Sequence, residues 1–453
     1  MRPGLKSRHL SMIAIGGVIG AGLFVGSGAG IRAAGPGILL SYALAGLLVV
    51  LVMRMLGEMA AAHPTSGSFS AYADRALGRW AGFTIGWLYW FFWVVVLAVE
   101  ATAGAAILTD WVPAVPQWAF ALAVMVLLTG TNLFSVGSYG EFEFWFAGIK
   151  VVAIAAFIVV GGLAVFGVLP DTEAVGTANL LDHGGFLPDG YGAVLSGMLL
   201  VVFSFMGSEI VTLAAGESAE PEKAVSRATN SVIWRIAVFY LGSILIVVTL
   251  LPWDSQEVRT SPYVAVLEEV GIPGAARVMD VIVLTAVLSC LNSGLFTASR
   301  MAFSLGRRGD APAAFGRVNR RGVPAAAIWA SVAFGFVAVV FNYTSPDTVF
   351  EFLLNSSGAV ALFVWLVICL SQLRMRRILE REAPHRLTVR MWLFPYLTWA
   401  TIGLILFVVA YMFTEEAGRE QMTMSVLVGA LVLVVGVVRQ RRGSRTGVGV
   451  PPR

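Results

Sequence analysis

The sequence predicts an all-α integral membrane protein of twelve transmembrane helices, and three observations carry that reading. Of its 453 residues, 58% are hydrophobic and 13% charged, with a mean hydropathy of +0.81. An average soluble domain carries about 25% charged residues, so the composition excludes a water-soluble fold of this size. Apolar stretches recur along nearly the whole chain, each of about 20 residues and long enough to cross the hydrocarbon core as a helix. The stretches run without period-2 alternation, which rejects a transmembrane barrel. Helices then satisfy the backbone polar groups internally, as lipid requires.

Taken in order, the spans fall near 12–32, 37–60, 82–108, 117–135, 145–168, 191–214, 231–251, 279–303, 325–342, 350–372, 393–413 and 422–438. Residues 1–11 are polar and basic and run straight into the first span. They lack a small-residue cleavage site, so no cleavable signal peptide is expected. Connections are short, none is polar enough to form a soluble domain, and residues 439–453 form a basic tail. Lysine and arginine set the orientation. With the N-terminus in the cytoplasm, 24 of the 31 basic residues lie inside and four outside, namely Arg32, Arg259, Arg277 and Arg419. Both termini are therefore expected to be cytoplasmic, with acids such as Asp171, Glu173, Asp182 and Asp189 outside. The net charge of +4 reflects this distribution across a lipid bilayer and implies no nucleic-acid partner.

Cys290 and Cys369 both fall within spans and suggest neither a disulfide framework nor a metal site. His9, His63, His183 and His385 all read as loop residues. No metal cluster, cofactor motif or catalytic triad emerges, so an intramembrane enzyme has little support.

Two segments stand out within the spans. The first span carries Gly16-Gly17-Val18-Ile19-Gly20-Ala21-Gly22, followed by Gly26. Glycine costs about 1 kcal/mol relative to alanine inside a helix, so the run favours unwinding in mid-membrane. A broken helix offers free backbone N–H groups at the start of its second half, and these bind a carboxylate. Close helix packing is the alternative, because Gly16/Gly20 and Gly22/Gly26 are both GxxxG pairs. Glycine alone does not separate the two. A dinucleotide fingerprint is discarded, because no strand precedes the run. The sixth span carries Phe203-Ser204-Phe205-Met206-Gly207-Ser208-Glu209, with glycine, serines and a carboxylate mid-span. If spans 1–5 and 6–10 are inverted repeats, the two segments hold equivalent places. Interrupted helices at such places point to a transporter's binding site.

Charge inside the spans adds further candidates. Glu209 is expensive in lipid and reads as functional, with a structural hydrogen-bond hub as the alternative. Lys150, near the start of span five, either loads and releases a proton when buried or snorkels to the inner interface. Glu100 follows the aromatic stretch Trp87–Trp93 and either meets a substrate amine or bonds a neighbouring helix. Asn292 and Ser293 in span eight either line a cavity or bond across helices, and Cys290 reads as a small packing residue. Glu58 and Arg54, four residues apart, read as a local ion pair. Glu217 to Lys223 reads as a solvated helix end.

At this point the residues match a known family. Gly4–His9, Gly78–Gly82, Tyr139–Trp145, Ala228–Arg235, Ser289–Ser293 and Arg307–Pro312 resemble stretches of the amino acid–polyamine–organocation (APC) superfamily. The resemblance lies in its bacterial amino acid transporter branch, covers almost the whole chain, and extends to the gamma-aminobutyrate (GABA) permeases. It implies two inverted five-helix repeats, at 12–168 and 191–372, plus two further helices at 393–438. It also implies an amino acid substrate, coupled protons and no cofactor. By resemblance, amides near Val18, Ile19, Gly20, Ala21 and Gly22 would hold the substrate carboxylate. Carbonyls near Phe203 and Met206 would take the ammonium, beside Ser204 and Gly207, with Phe203 covering the site. Glu209 matches a carboxylate tied to substrate and proton coupling. Lys150 matches a span-five lysine that stands where relatives place sodium. The middle of span three, Val94 to Val99 and then Glu100, departs from the polar residue found in relatives. A sensor or channel on the same helices, or an exchanger of amino acids, would be the competing activities.

Overall fold

The computed structural model describes residues 7–16, 19–24, 26–134, 136–170, 173–215, 221–344 and 359–445. Gly17, Val18, Asp171 and Glu217–Glu220 lie outside the described residues, as does the start of the tenth expected span. Among the described residues the elements are helices, with no strand. The first helix runs Ser7–Gly16 and resumes as Ala21–Phe24 and Gly26–Ala34. Next come Ile38–Ala62, the short Ser68–Leu77, Arg79–Trp111, Gln117–Phe134 and Val136–Val165. Gly190–Ser204 and Ile210–Ala215 are separated by a turn. A continuous helix then runs from Pro221 to Leu250, and within it Ile236–Gly242 is wound as a π-helix, with i→i+5 bonding. The remaining long helices are Ala275–Arg307, Ala325–Thr344, Val360–Glu382, Tyr396–Met412 and Glu416–Arg445.

Seven described stretches are long and apolar enough to cross a membrane, and three shorter apolar helices accompany them. One of the seven, Gly22–Ala62, is interrupted at Gly35, whose φ is +57°. The 33-residue helices Arg79–Trp111 and Ala275–Arg307 form the most extensive helix–helix contact. At about 1.5 Å per residue each spans about 50 Å, well beyond a hydrocarbon core of about 30 Å. The outer surface is apolar, with Leu127, Val152, Val159, Leu431 and Val434 all exposed. In water such a surface would aggregate; against lipid tails it is matched.

Two local readings are corrected. Arg54 and Glu58 form no local pair. Glu58 is fully buried and accepts from Arg376 Nη1 at 2.6 Å, Gln372 Nε2 at 2.8 Å and the Met391 backbone N–H at 2.6 Å. Arg54 donates instead to the Arg390 carbonyl at 2.8 Å and to Asn230 Oδ1 at 2.9 Å. A buried carboxylate needs several donors to offset its desolvation, and these come from the Val360–Glu382 helix and the segment after it. His9 is not a loop residue. The first helix begins at Ser7, so His9 is helical and 1% exposed, its Nε2 3.1 Å from Glu141 Oε1.

Candidate functional site

The first helix is interrupted at Ile19 and Gly20, just before Ala21, and the sixth loses its regular bonding from Phe205 to Glu209. The second interruption starts later than the sequence suggested, because Phe203 and Ser204 still belong to the helix that ends there. In the turn, Phe205 N–H donates to the Val202 carbonyl at 3.1 Å and Ser208 N–H to the Phe205 carbonyl at 3.3 Å. Gly207 has φ +104°, a conformation that side-chain-bearing residues rarely adopt. Here the glycine is required by backbone geometry.

The two interruptions touch. Ser204 Oγ donates to the Gly22 carbonyl at 2.9 Å. A Cβ on Gly22 would lie 3.0 Å from Ser204 Oγ and 3.1 Å from Ser204 Cα. The hydroxyl can rotate away but the backbone cannot, so any side chain at Gly22 pushes the two breaks apart. At Gly26 a Cβ would meet nothing within 4 Å. Overpacking of this kind costs about 1–3 kcal/mol. Gly22→Val is therefore expected to cut uptake more than about tenfold and to lower the thermal midpoint, whereas Gly26→Ala leaves both near wild type. Uptake into proteoliposomes and melting in detergent check this pair.

Glu209 closes the second turn and is completely buried. Its Oε1 accepts from Tyr89 Oη at 2.8 Å and from the Gly207 N–H at 3.2 Å. Its Oε2 has no hydrogen-bond partner among the described residues. Half of this carboxylate is thus held in place by the Arg79–Trp111 helix and by its own turn. The other half is left to a ligand or a proton, because a buried polar atom without a partner is costly.

A second cluster joins three helices. Lys150 on Val136–Val165 is 0% exposed, so it does not snorkel. Its Nζ donates to Ser289 Oγ at 2.8 Å, and Ser289 Oγ donates to Glu143 Oε1 at 2.7 Å. Glu143 Oε2, also buried, has no partner among the described residues. On the neighbouring turn of Ala275–Arg307, Cys290 faces Glu100 of Arg79–Trp111, and Cys290 is the nearest group to a Cβ built on Gly20, at 3.8 Å. The cluster therefore abuts the break in the first helix. It gathers two carboxylates and one amine where water has little access.

The structure brings together Ile19, Gly20, Gly22, Ser204, Met206, Gly207 and Glu209 around the two breaks, with Glu100 and Lys150 behind Gly20. Ile19 is 1% and Met206 7% exposed. Val18 and the side chains of Ala21 and Phe203 lie outside the described residues. Asn292 stands apart, its Oδ1 accepting from Asn132 Nδ2 at 2.8 Å while its own Nδ2 has no partner among the described residues. Sequence reading singled out neither Glu143 nor Tyr89. Glu143 had a usable signal, since it lies seven residues before Lys150 and therefore on the same helix face. Among the described residues no group of histidine, cysteine and carboxylates is arranged to hold a metal.

Comparison with known proteins bears directly on this arrangement. A family model described as amino acid permease matches residues 9–441. The gamma-aminobutyric acid permease of Bacillus subtilis is 56% identical over 97% of this chain and 93% of its own length. That of Escherichia coli K12 is 55% identical, over 96% and 92% respectively. An aromatic amino acid transport protein of Corynebacterium glutamicum is 45% identical, over 98% and 97%. These matches bear out the resemblance read from the sequence stretches. The apolar helices, their lipid-compatible surface and this kinship lead to one statement: the chain is a multi-pass cell-membrane protein of amino acid transport and belongs to the amino acid permease family within the APC superfamily.

Proposed function

We propose that this protein imports gamma-aminobutyrate, or a similarly small zwitterionic amino acid, together with protons by alternating access. The observation that carries the reading is the contact of two helix interruptions, Ser204 Oγ on the Gly22 carbonyl at 2.9 Å, beside a buried carboxylate with one oxygen unpartnered among the described residues. In this reading twelve helices span the membrane, 12–168 and 191–372 are inverted repeats, and both termini are cytoplasmic. Amides from Val18 to Gly22 hold the substrate carboxylate. Carbonyls near Phe203, where intrahelical donors run out, and near Met206 receive the ammonium, with Gly207 and Glu209 beside them. Phe203 covers the site, and Glu100 completes its far side. Lys150 and Glu209 are the groups whose protonation biases the inward–outward equilibrium.

Substrate choice is tested by competition. Labelled GABA uptake into proteoliposomes is measured against excess unlabelled GABA, proline, lysine and phenylalanine. The proposal expects strong competition from GABA alone. Equal competition by phenylalanine would replace it with a broad-range permease, the reading favoured by the 45%-identical aromatic transporter. Flux that does not saturate would mark a channel.

A further inference from the structure

Arg235 is a buried cation outside the clusters around Glu209 and Lys150. It is 4% exposed and sits on the Pro221–Arg235 segment, immediately before the π-wound stretch Ile236–Gly242. Such π turns inside α-helices recur at functional sites. The hydrogen bond that it makes within the chain is weak, Nε to the Ser231 carbonyl at 3.3 Å. No carboxylate among the described residues forms an ion pair with it. Other arginines in the interior are provided for: Arg376 has Glu58, and Arg300 lies over the Phe296 ring at 4.0 Å. A buried guanidinium carries five donors and a full charge, and leaving them unmatched is costly.

The cleft beside Arg235 says what would match them. It is lined by Ile19 from the first interruption, Phe205 and Ser208 from the second, and Tyr240 from the π-wound turn. Tyr240 Oη in turn donates to the Ser204 carbonyl at 3.2 Å, tying this turn to the end of the Gly190–Ser204 helix. The free volume is about 10 Å³, room for roughly one water. A whole amino acid does not fit there, but a single carboxylate oxygen does.

We propose that Arg235 is a carboxylate-recognition residue of the transport site, its guanidinium reaching one oxygen of the substrate carboxylate through the cleft that joins the two helix breaks. This rests on the amino acid transport reading and adds to it a formal positive charge, which backbone amides alone do not supply. Guanidinium presents two parallel donors to a carboxylate, whereas an ammonium is a point charge. Lysine should therefore replace Arg235 only in part.

The test uses the full chain in proteoliposomes, as wild type, Arg235→Lys and Arg235→Gln. KM is measured for labelled GABA, with inhibition constants for butyrate, which has the carboxylate alone, and butylamine, which has the amine alone. Arg235→Gln is expected to raise KM and the butyrate constant together by roughly tenfold to a hundredfold, leaving the butylamine constant in place. Arg235→Lys should fall between. If Arg235→Gln does not fold, Arg235→Lys decides, with a severalfold rise expected in the same two constants. An unchanged KM overturns the proposal. So does a matched rise for butyrate and butylamine, which would make Arg235 part of the scaffold with a water in the cleft. Should wild type carry phenylalanine but not GABA, the GABA reading fails, and the same comparison runs with labelled phenylalanine, phenylpropionate and phenethylamine.

Discussion

Glu209→Gln is expected to reduce uptake to the background of empty liposomes while the protein stays folded and monodisperse. The side chain closes the turn at Phe205–Glu209, and its Oε1 takes two donors, Tyr89 Oη and the Gly207 N–H. Glutamine keeps one carbonyl oxygen for those donors, so the turn has no reason to collapse. What it removes is the charge and the second carboxylate oxygen, replacing an acceptor by an amide that only donates. A substrate ammonium or a coupled proton then loses its receiving atom. Tyr89→Phe is the graded comparison: it removes one hydroxyl donor to a carboxylate, a bond worth about 1.5–3 kcal/mol, and leaves the carboxylate in place. It should slow uptake without abolishing it. Wild-type transport by Glu209→Gln would remove Glu209 from the mechanism.

The second large effect belongs to Lys150. Lys150→Met is expected to abolish uptake and also to destabilise the fold, because it strands Glu143 as a buried, unpaired charge. Breaking a buried pair from one side costs about 3–5 kcal/mol. Replacing both partners by uncharged residues is often close to neutral. The double variant Lys150→Met, Glu143→Gln should therefore regain most of the lost thermal midpoint and none of the transport. Melting curves of the three proteins check the first half and uptake the second. If the double variant melts as low as the single one, the Lys150–Ser289–Glu143 chain is not what holds Lys150 in place. Lys150 donates to Ser289 and Ser289 to Glu143, so one hydroxyl joins the two charges. Glu143→Gln by itself keeps an acceptor for Ser289 Oγ and should leave substrate competition unchanged.

Much of this was legible from the chain, for identifiable reasons. Long apolar runs without alternation dictate helices in lipid because the backbone must be satisfied internally, and the described residues are accordingly helical along most of their length, with the 191–214 stretch split at Phe205–Glu209. The breaks were legible because glycine weakens a helix wherever it stands, and Gly207 at φ +104° shows the same property used locally. The sixth break starts at Phe205 rather than Phe203, since the end of a helix is set by what caps it, here Tyr240 Oη on the Ser204 carbonyl. Partners were the least legible. Arg54 and Glu58 have the right spacing for a helix pair, yet each finds a stronger partner on another element. Tyr89 lies within an aromatic-rich stretch, Trp87 to Trp93, whose sequence does not reveal which ring faces a carboxylate. Arg235 reads from sequence as one more cytoplasmic basic residue, and only the packed helices reveal it as buried beside both breaks.

Proton-driven accumulation tests the central claim most directly. Labelled GABA uptake is followed into proteoliposomes with an empty interior and an inward proton gradient. The account predicts accumulation above the external concentration, collapse of that excess on adding a protonophore, and no excess in the Glu209→Gln protein. Uptake that ignores the gradient and requires amino acid inside the vesicle would contradict it and identify an exchanger.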